Sequence, residues 1–534
     1  MYHLKSIKTP IIYITRSAFY HSVVLIIFFV ILLSACSSKK IIINSDIVYK
    51  QVDPVSLHDY KSVQLRDQKY QDPKLAIGVS VSGGGSRAQY FGLGVLMGIE
   101  EIKDSQNRTM LSGVDYFSTA SGGGYAVGYY LTMQKNLLLN TNSPYSSFYQ
   151  YWLSDDRVKK YQEFIWQSAK PSDAIFRFNK NEKDNVSFPY AERLDVQLLQ
   201  CKRMNSRMVL GDFFVPVNES RLPILPMFVA NGTIYKNVER LPFMPHILNA
   251  LKVNRIIAPS DSTFKKDPAY NFPLCYAIAG SSAFPGLLPQ LRLGISADEN
   301  KVIRVVDGGV VDNLGYRTLI ELLEKDNVEA SDKRAIIVDC AGVGEIDRYS
   351  DDQRISVFNV LENALLFTVD SKYMTRVEDI ENKLRPTGIP LSNYVLLSMR
   401  TILAKVDRTD TEVQQILASW KSIAGKKESV KESDQRWLKL YKNFEASVKS
   451  HCAITPGYVV DDLTWNGNLL RSIDLISFDE MKHFTNADRL MLYELVSQIE
   501  TKVKIHRSEK IILTLAGRYV AYLEQQKLNQ LVTR

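Results

Sequence analysis

The stretch that decides the fold is Leu75-Ala76-Ile77-Gly78-Val79-Ser80-Val81, together with the turn Ser82-Gly83-Gly84-Gly85-Ser86-Arg87 that follows it. The first segment is almost continuously apolar, which is typical of a strand buried on both faces. After the glycines, apolar residues recur at helical spacing from Phe91 as far as Ile102. The sequence therefore predicts a strand, a glycine turn and a helix in succession.

The same succession occurs a second time shortly afterwards. Val114–Ala120 reads as a strand, Ser121-Gly122-Gly123-Gly124 as a turn, and the residues from Tyr125 to Met133 as a helix. Two strand–turn–helix units in close succession indicate an α/β fold with a parallel sheet. Further strands are predicted at 223–230, 302–306 and 335–339. Beyond about residue 345 the sequence pattern changes to long amphipathic segments, such as 357–375 and 485–503. These segments predict a helical region that packs on the core or extends it.

Composition places the chain among ordinary globular proteins. It has 534 residues, of which 45% are hydrophobic and 23% charged, and this length predicts one large domain with additions. The formal net charge is +8, but no Lys/Arg run with interleaved aromatics points to a nucleic-acid partner. The seven histidines form no H-x-x-x-H or H-E-x-x-H pair. We therefore expect no metal site and no cofactor.

The N-terminus has the features of a secretory signal. Lys5, Lys8 and Arg16 precede an apolar run over 23–33, which is too short for a membrane span of ~20 residues. Leu33-Ser34-Ala35-Cys36 resembles the lipobox of bacterial lipoproteins, which implies that Cys36 is lipidated and becomes the new N-terminus. Residues 1–35 would then be the signal peptide and residues 36–73 a tether. A plain cleaved signal and an uncleaved anchor are the alternatives.

Lipidation of Cys36 implies a place in the bacterial cell envelope, attached to a membrane. By the same resemblance, Ser37 stands where an Asp would favour retention in the inner membrane, so the sequence points to the outer membrane.

The first glycine turn is a candidate anion site. Gly83, Gly84 and Gly85 let the backbone approach a ligand closely and turn several N–H groups toward one point at the start of a helix. Such a nest suits a phosphate or the oxyanion of a tetrahedral intermediate. The phosphate-binding patterns G-x-x-x-x-G-K-[ST] and G-x-G-x-x-G do not fit this turn. A purely conformational role for the glycines is the alternative.

The second turn supplies a candidate nucleophile. Ser121 stands between a strand and a helix, and Gly122 and Gly123 follow it, as the sharp turn of a nucleophile elbow requires. The usual pattern G-x-S-x-G here reads T-A-S-G-G, with Thr119 in place of the first glycine. The alternative for Ser121 is a helix N-cap.

The third turn supplies a candidate base. Asp307-Gly308-Gly309 follows the strand predicted at 302–306, so a carboxylate at a strand end could accept a hydroxyl proton. A parallel sheet would bring Asp307 and Ser121 to the same carboxyl edge. A plain turn is the alternative for Asp307. Asp312 and Asn313 are interpreted as loop and N-cap residues of a helix that begins near Tyr316.

Together the three turns resemble the patatin-like phospholipases and their cytosolic phospholipase A relatives, over residues 74–345. The matching segments are Gly83-Gly84-Gly85-Ser86-Arg87-Ala88, Ser121 in T-A-S-G-G, Asp307-Gly308-Gly309, and the supporting stretches 228–233 and 281–285. The resemblance implies a three-layer α/β fold with a central, mostly parallel sheet. It also implies a Ser121–Asp307 dyad that cleaves acyl esters of membrane lipids or phospholipids through an acyl-serine, with the Gly83–Gly85 amides as oxyanion hole.

Several alternatives stay open at the level of sequence. Arg87 could orient the glycine turn or meet a phosphate headgroup, or it could form a surface ion pair. A triad would need a histidine, and only His246 lies between Ser121 and Asp307. An acyltransferase with the same dyad and a catalytically inactive, lipid-binding lipoprotein are the other functions considered.

Overall fold

The computed structural model describes residues 60, 75–103, 109–139, 190–192, 194–195, 199, 207–219, 225–257, 262–263, 269–285, 288, 290–296, 298–341, 373–421, 430–452, 476, 478–499, 505 and 507–532. All of them belong to the unit Asp53–Arg534. The predicted signal peptide, the lipidation site Cys36 and all of the predicted tether except Tyr60 lie outside the described residues. Among the described residues, no helix has the length and apolarity needed to cross a membrane.

Ten strands of the described chain form one sheet. They are β1 Ala76–Val81, β2 Val114–Ala120, β3 Met227–Ile234, β4 Glu239–Pro242, β5 Val253–Ile256, β6 Ser262–Thr263, β7 Leu291–Ile295, β8 Asp298–Asp307, β9 Lys333–Asp339 and β10 Tyr394–Ser398. Their order is β10-β9-β1-β2-β3-β8-β7-β5-β6, and β4 pairs with β3 off this path.

The central sheet is parallel, as predicted. The strands β10, β9, β1, β2 and β3 all run in the same direction. Beyond β3 the sheet continues through antiparallel pairs, and β8 runs antiparallel to β3. The expectation that β8 shares a parallel carboxyl edge with β2 is therefore wrong. The direction of β8 depends on its connection to β7, which the residues around Asp307 do not encode.

The helices are numbered in chain order. They are α1 Gly85–Glu101, α2 Gly122–Leu139, α3 Pro245–Ala250, α4 Leu274–Ser281, α5 Gly309–Asp312, α6 Tyr316–Lys325, α7 Tyr373–Leu384, α8 Arg400–Ala404, α9 Thr411–Lys421, α10 Val430–His451, α11 Phe478–Met481, α12 Asn486–Ser497, α13 Arg507–Leu523 and α14 Gln525–Val532.

Helices cover both faces of the sheet. Side chains alternate between the two faces along β1. A Cβ on Gly78 would lie 2.4 Å from Leu319 Cδ1 of α6, on one face of the sheet. On the other face, a Cβ on Gly92 of α1 would lie 2.9 Å from Val81 Cγ1. Because every residue of β1 is buried, the strand is covered from both sides. This confirms the predicted layered α/β fold.

The C-terminal region is part of the same core. The strand β10 extends the parallel sheet beyond β9, and α13 packs against α1 with almost no space between the backbones. A Cβ on Gly94 would lie 2.2 Å from the Thr514 carbonyl oxygen, and one on Gly517 would lie 2.3 Å from the Phe91 carbonyl oxygen. The region predicted to pack on or extend the core thus does both. The predicted helix at 485–503 corresponds to α12, while most of 357–375 lies outside the described residues.

Candidate active site

Ser121 occupies a strained turn between β2 and α2. Its φ angle is +47°, in the left-handed region that side chains other than glycine rarely adopt. Its N–H group donates to two atoms of Ser281, the carbonyl oxygen at 3.2 Å and the side-chain Oγ at 3.0 Å. This is the geometry of a nucleophile elbow, in which the surrounding structure holds the strained serine in place.

The glycines after Ser121 are required by the approach of the first glycine turn. A Cβ on Gly122 would lie 2.2 Å from the Gly85 carbonyl oxygen, and one on Gly123 would lie 2.2 Å from the Val81 carbonyl oxygen. Thr119 is fully buried, and its Oγ1 would lie 3.4 Å from a Cβ on Gly124, an ordinary contact distance. The elbow therefore accommodates threonine at the position where glycine is usual.

Asp307 reaches Ser121 from the opposite direction. The register pairs Ala120 at the end of β2 with Asn231, and Asp307 at the end of β8 with the next residue, Gly232. The ends of β2 and β8 thus meet on either side of β3, although the strands run in opposite directions. The Ser121 hydroxyl donates a hydrogen bond to the Asp307 carboxylate. The structure brings the predicted pair together, by a different route from the one that the sequence suggested.

The Asp307 carboxylate is buried and poorly solvated. Burial raises the pKa of Asp307 to about 6, although the hydrogen bonds from Ser121 and from the Gly309 N–H group lower it. The Gly309 N–H donates to Oδ1 over 2.7 Å. A carboxylate with this pKa is ionised at neutral pH and is a stronger base than an exposed aspartate, which suits a proton acceptor.

The turn after Asp307 is fixed by the segment that also holds Ser121. The Asp307 N–H donates to Ala283 at 3.0 Å, and the Gly308 N–H donates to Ser281 at 2.9 Å. A Cβ on Gly308 would lie 1.9 Å from the Asn231 carbonyl oxygen. The main chain near Ser281 therefore positions both Ser121 and the turn after Asp307.

The first glycine turn has two available donors rather than three. Gly83 N–H donates to the Asn313 carbonyl oxygen at 2.8 Å, so its predicted place in the oxyanion hole is wrong. That bond ties the turn to the loop after Asp307. Gly84 and Gly85 have φ angles of +138° and +58°, which favour glycine. In the described part of the chain no residue accepts a hydrogen bond from the Gly84 or Gly85 amide, and these amides lie at the start of α1.

Arg87 is buried and structural. Its Nε donates to the Cys340 carbonyl oxygen and its Nη1 to the Ile499 carbonyl oxygen, both at 3.1 Å. Only 7% of its surface is exposed, so its side chain lies inside the protein rather than on the surface. Contacts with two distant main-chain carbonyl oxygens suit a side chain that orients the glycine turn.

His246 lies in α3 and shares a hydrogen bond of 3.0 Å between its Nδ1 and the Tyr60 hydroxyl. In the described part of the chain, the side chain that donates a hydrogen bond to Asp307 is that of Ser121. Among the described residues, no group of three or more His, Cys, Asp or Glu side chains could hold a metal ion.

Comparison with known proteins agrees with the arrangement of these three turns. The family model described as patatin-like phospholipase matches residues 79–320. The chain carries a patatin-like phospholipase domain. A phospholipase B of Cryptococcus neoformans var. grubii is 34% identical over 108 residues. That match covers 19% of this chain and only 17% of the fungal protein.

A solved structure of the heterodimeric complex ExoU–SpcU, from the type III secretion system of Pseudomonas aeruginosa, is also similar. The match covers 84% of this chain and 75% of that chain, with 12% identity and a TM-score of 0.21. The matched range of the patatin-like domain ends before β9, so β9, β10 and α13 complete its sheet and its packing from outside that range.

Sequence reasoning missed the side chains that support the elbow of the patatin-like domain. Asn231 Nδ2 donates to Ser118 Oγ and to the Thr119 carbonyl oxygen, both at 2.9 Å. Ser281 Oγ donates to the Asn231 carbonyl oxygen at 2.6 Å. Both residues lie in the stretches 228–233 and 281–285 that resemble the family, but their role in the elbow depends on contacts that only the fold creates.

Two buried tyrosines beside the base were also missed. The Tyr125 hydroxyl contacts the Tyr190 hydroxyl and donates to Ser282 Oγ at 2.7 Å. Burial raises the pKa of Tyr190 to about 12, and the Asp307 charge adds to this shift. Both hydroxyls therefore remain protonated and give the region near Asp307 a polar lining.

In the loop after Asp307, the N-cap of the next helix differs from the prediction. Gly315, in the left-handed conformation, is the N-cap of α6, rather than Asp312 or Asn313. Asp312 Oδ2 accepts from the Arg317 N–H at 2.9 Å. Asn313 instead lies between the glycine turns.

Proposed function

We propose that this protein hydrolyses acyl esters of membrane lipids, in the manner of a phospholipase A or lysophospholipase, with Ser121 as nucleophile and Asp307 as base. The observation that carries the proposal is the hydrogen bond from the Ser121 hydroxyl to the buried Asp307 carboxylate. It occurs within a patatin-like phospholipase domain, at a serine whose backbone is strained.

The proposed reaction uses the chain's own groups in two steps. Asp307 accepts the Ser121 proton while the Oγ–carbon bond forms, and the N–H groups of Gly84 and Gly85 stabilise the oxyanion. The carbon–oxygen bond to the lipid alcohol then breaks, and Asp307 returns the proton to the leaving oxygen. In the second step water attacks the acyl carbon and Asp307 takes a proton from the water. The Oγ–carbon bond then breaks, the fatty acid leaves, and Asp307 returns the proton to Ser121.

The dyad is tested by activity-based labelling with a fluorophosphonate and by hydrolysis of phospholipid in vesicles. Ser121→Ala, Asp307→Asn and the double variant should lose similar amounts of ester hydrolysis, because members of one catalytic unit are not additive. Asp307→Asn should also block labelling of Ser121, since no other base takes the hydroxyl proton.

His246→Ala is the matched control, and it should retain labelling if the protein stays folded. Full hydrolysis by the Ser121→Ala protein would refute the proposal, and so would a His246→Ala protein that folds but is inactive.

We further propose that the mature protein is a lipoprotein of the bacterial outer membrane, anchored through lipidated Cys36. The sequence Leu33-Ser34-Ala35-Cys36 after the apolar run supports this. An anchor would hold the enzyme at the surface that contains its substrate, and two or more acyl chains give stable attachment.

The anchor is tested by mass spectrometry of the native N-terminus, which should be an acylated Cys36. Cys36→Ser should abolish incorporation of labelled acyl chains and leave an unprocessed precursor. An unmodified N-terminal residue in the native protein would contradict the anchor without affecting the dyad.

A further inference from the structure

Asn313 lies beside both members of the dyad. A Cβ on Gly83 would lie 2.4 Å from Asn313 Oδ1 and 3.1 Å from Ser121 Cβ. A Cβ on Gly309 would lie 2.7 Å from Asn313 Oδ1 and 3.0 Å from Asp307 Oδ1. The absence of a side chain at both glycines therefore makes room for the Asn313 amide next to the nucleophile and the base.

The Asn313 side chain has no structural task in the described part of the chain. Its backbone carbonyl accepts the Gly83 N–H, but its side-chain amide makes no hydrogen bond to any described residue. The neighbouring Asn231, by contrast, uses its amide fully, because Nδ2 donates twice and Oδ1 accepts from the Thr318 hydroxyl. Asn313 is only half-buried, so its amide is accessible to a molecule in the site.

We propose that Asn313 donates a hydrogen bond from Nδ2 to the oxygen that exchanges a proton with Asp307. This inference rests on the proposed hydrolase activity. In acylation that oxygen belongs to the departing lipid alcohol, and in deacylation it belongs to the attacking water. An asparagine amide carries donors at one end and an acceptor at the other, and rotation about χ2 places either end beside Ser121 and Asp307.

The proton and bond changes balance without another reactant. In acylation the Ser121 Oγ–carbon bond forms, the carbon–alcohol bond breaks, and the Ser121 proton passes through Asp307 to the alcohol oxygen. In deacylation the water oxygen–carbon bond forms, the Oγ–carbon bond breaks, and a water proton passes through Asp307 to Ser121. Asn313 holds the second oxygen in each case and transfers no proton itself.

The inference is tested with three reagents whose leaving groups differ in their need for a proton. Fluoride leaves a fluorophosphonate unprotonated, p-nitrophenolate is a good leaving group, and a lipid alkoxide needs the proton. In Asn313→Ala, Ser121 labelling should stay within about threefold of the wild-type rate. The kcat/KM for phospholipid vesicles should fall by about a hundredfold, the scale of assisted proton transfer.

A p-nitrophenyl ester separates the two half-reactions. In Asn313→Ala its kcat/KM should fall much less than that of the phospholipid, and a burst of p-nitrophenol should precede a slow steady state. The burst is expected because acylation no longer depends on the amide, whereas the water of deacylation has lost its hydrogen-bond donor.

Asn313→Asp adds a readout that a purely structural role would not move. It keeps the side-chain shape but places a second carboxylate beside Asp307, which raises the pKa of the base. The acid limb of the kcat/KM profile should then move to higher pH than in the wild type. Asn237→Ala, at an exposed residue between β3 and β4, is the control and should change neither rate nor profile.

Three outcomes would overturn the inference. Equal loss of labelling and of both hydrolyses in Asn313→Ala would mean that the residue merely supports the turn, and unchanged kinetics would remove its role. An unshifted pH profile in folded Asn313→Asp would contradict its proximity to the base. If the wild type itself failed to label at Ser121, the proposed function would be overturned instead. This outcome is distinct from failure of the Asn313 inference, because it is measured on the wild type alone.

Discussion

Burial of Asp307 makes its carboxylate a stronger base but lowers the stability of the folded protein. The residue is 3% exposed, and within the described part of the chain its charge is offset by two hydrogen bonds rather than by a cation in direct contact. Desolvation therefore outweighs the stabilising contacts and raises the pKa from 3.8 to about 6. A base of this strength requires a buried carboxylate, which lowers the stability of the fold at neutral pH.

The first residue-scale prediction concerns rate. Because only the ionised carboxylate accepts the Ser121 proton, kcat/KM for a soluble ester should rise with pH through a midpoint near 6. A pH–rate profile measured on the wild type checks this value. A midpoint near 4 would show that Asp307 is solvated like an exposed aspartate and would contradict its burial.

The second residue-scale prediction concerns stability. The folded state binds the Asp307 proton more tightly than the unfolded chain, so this stabilising contribution is complete below pH 3.8 and is lost as pH rises through about 6. At pH 8, Asp307→Asn should therefore be more stable than the wild type by up to ~3 kcal/mol, at 1.36 kcal/mol per unit. The difference should shrink toward pH 4.

Denaturant unfolding at the two pH values measures this difference. Asp434→Asn, at an exposed position on α10, is the matched control and should show no pH-dependent gain. An Asp307→Asn protein that is less stable than the wild type at pH 8 would show that the lost hydrogen bonds outweigh desolvation.

At the scale of elements, the elbow depends on how closely α2 approaches the end of β1. Two adjacent glycines of α2 differ sharply in their surroundings. A Cβ on Gly123 would lie 2.2 Å from the Val81 carbonyl oxygen and 2.7 Å from that of Ser82, whereas one on Gly124 would have its nearest neighbour at 3.4 Å. These backbone oxygens cannot move without shifting β1 and the glycine turn that follows it.

Gly123→Ala should therefore lower the free energy of unfolding by at least about 2 kcal/mol and abolish labelling of Ser121. Gly124→Ala is the matched variant one residue later. It should keep full labelling and gain up to about 1 kcal/mol, because alanine is the better helix former. Thermal unfolding and fluorophosphonate labelling measure both effects, and equal behaviour of the two variants would contradict the close approach of α2.

At the scale of the whole molecule, the C-terminal region completes the catalytic domain. It supplies β10 to the sheet and α13 to the face of α1, and α1 begins at the glycine turn. Arg518 of α13 pairs with Glu101 of α1, and Ile499 accepts a hydrogen bond from Arg87. The position of the glycine turn therefore depends on residues at the far end of the chain.

A chain that ends at residue 345 should consequently be insoluble or unable to label, although it contains Ser121, Asp307 and all three glycine turns. The truncation removes α13, which exposes the apolar face of α1, and it removes Ile499, which leaves one bond of Arg87 unmade. A chain that begins at Asp53 is the control and should keep labelling, since every described residue lies within the unit Asp53–Arg534. Soluble, fully labelled protein from the chain ending at 345 would contradict this dependence.

The sequence by itself determined the central architecture and the two side chains that we propose as nucleophile and base. The strand–turn–helix units around Gly83 and Ser121 could be predicted because burial on both faces, helical periodicity and consecutive glycines are local properties. Asp307 could be predicted because an aspartate followed by two glycines stands at the end of an apolar run. These patterns need no knowledge of distant contacts.

Only the tertiary structure decided how these parts act together. The direction of β8 follows from its hairpin with β7 and from its pairing with β3, and the sequence near Asp307 carries no signal for either. The Gly83 amide is occupied and Arg87 is buried because their partners, Asn313, Cys340 and Ile499, lie 230 to 412 positions further along the chain. Asn313 itself resembles an ordinary loop residue until the fold places its amide beside Ser121 and Asp307. Hydrogen bonds between distant segments depend on the packing of the whole chain, which local periodicity does not encode.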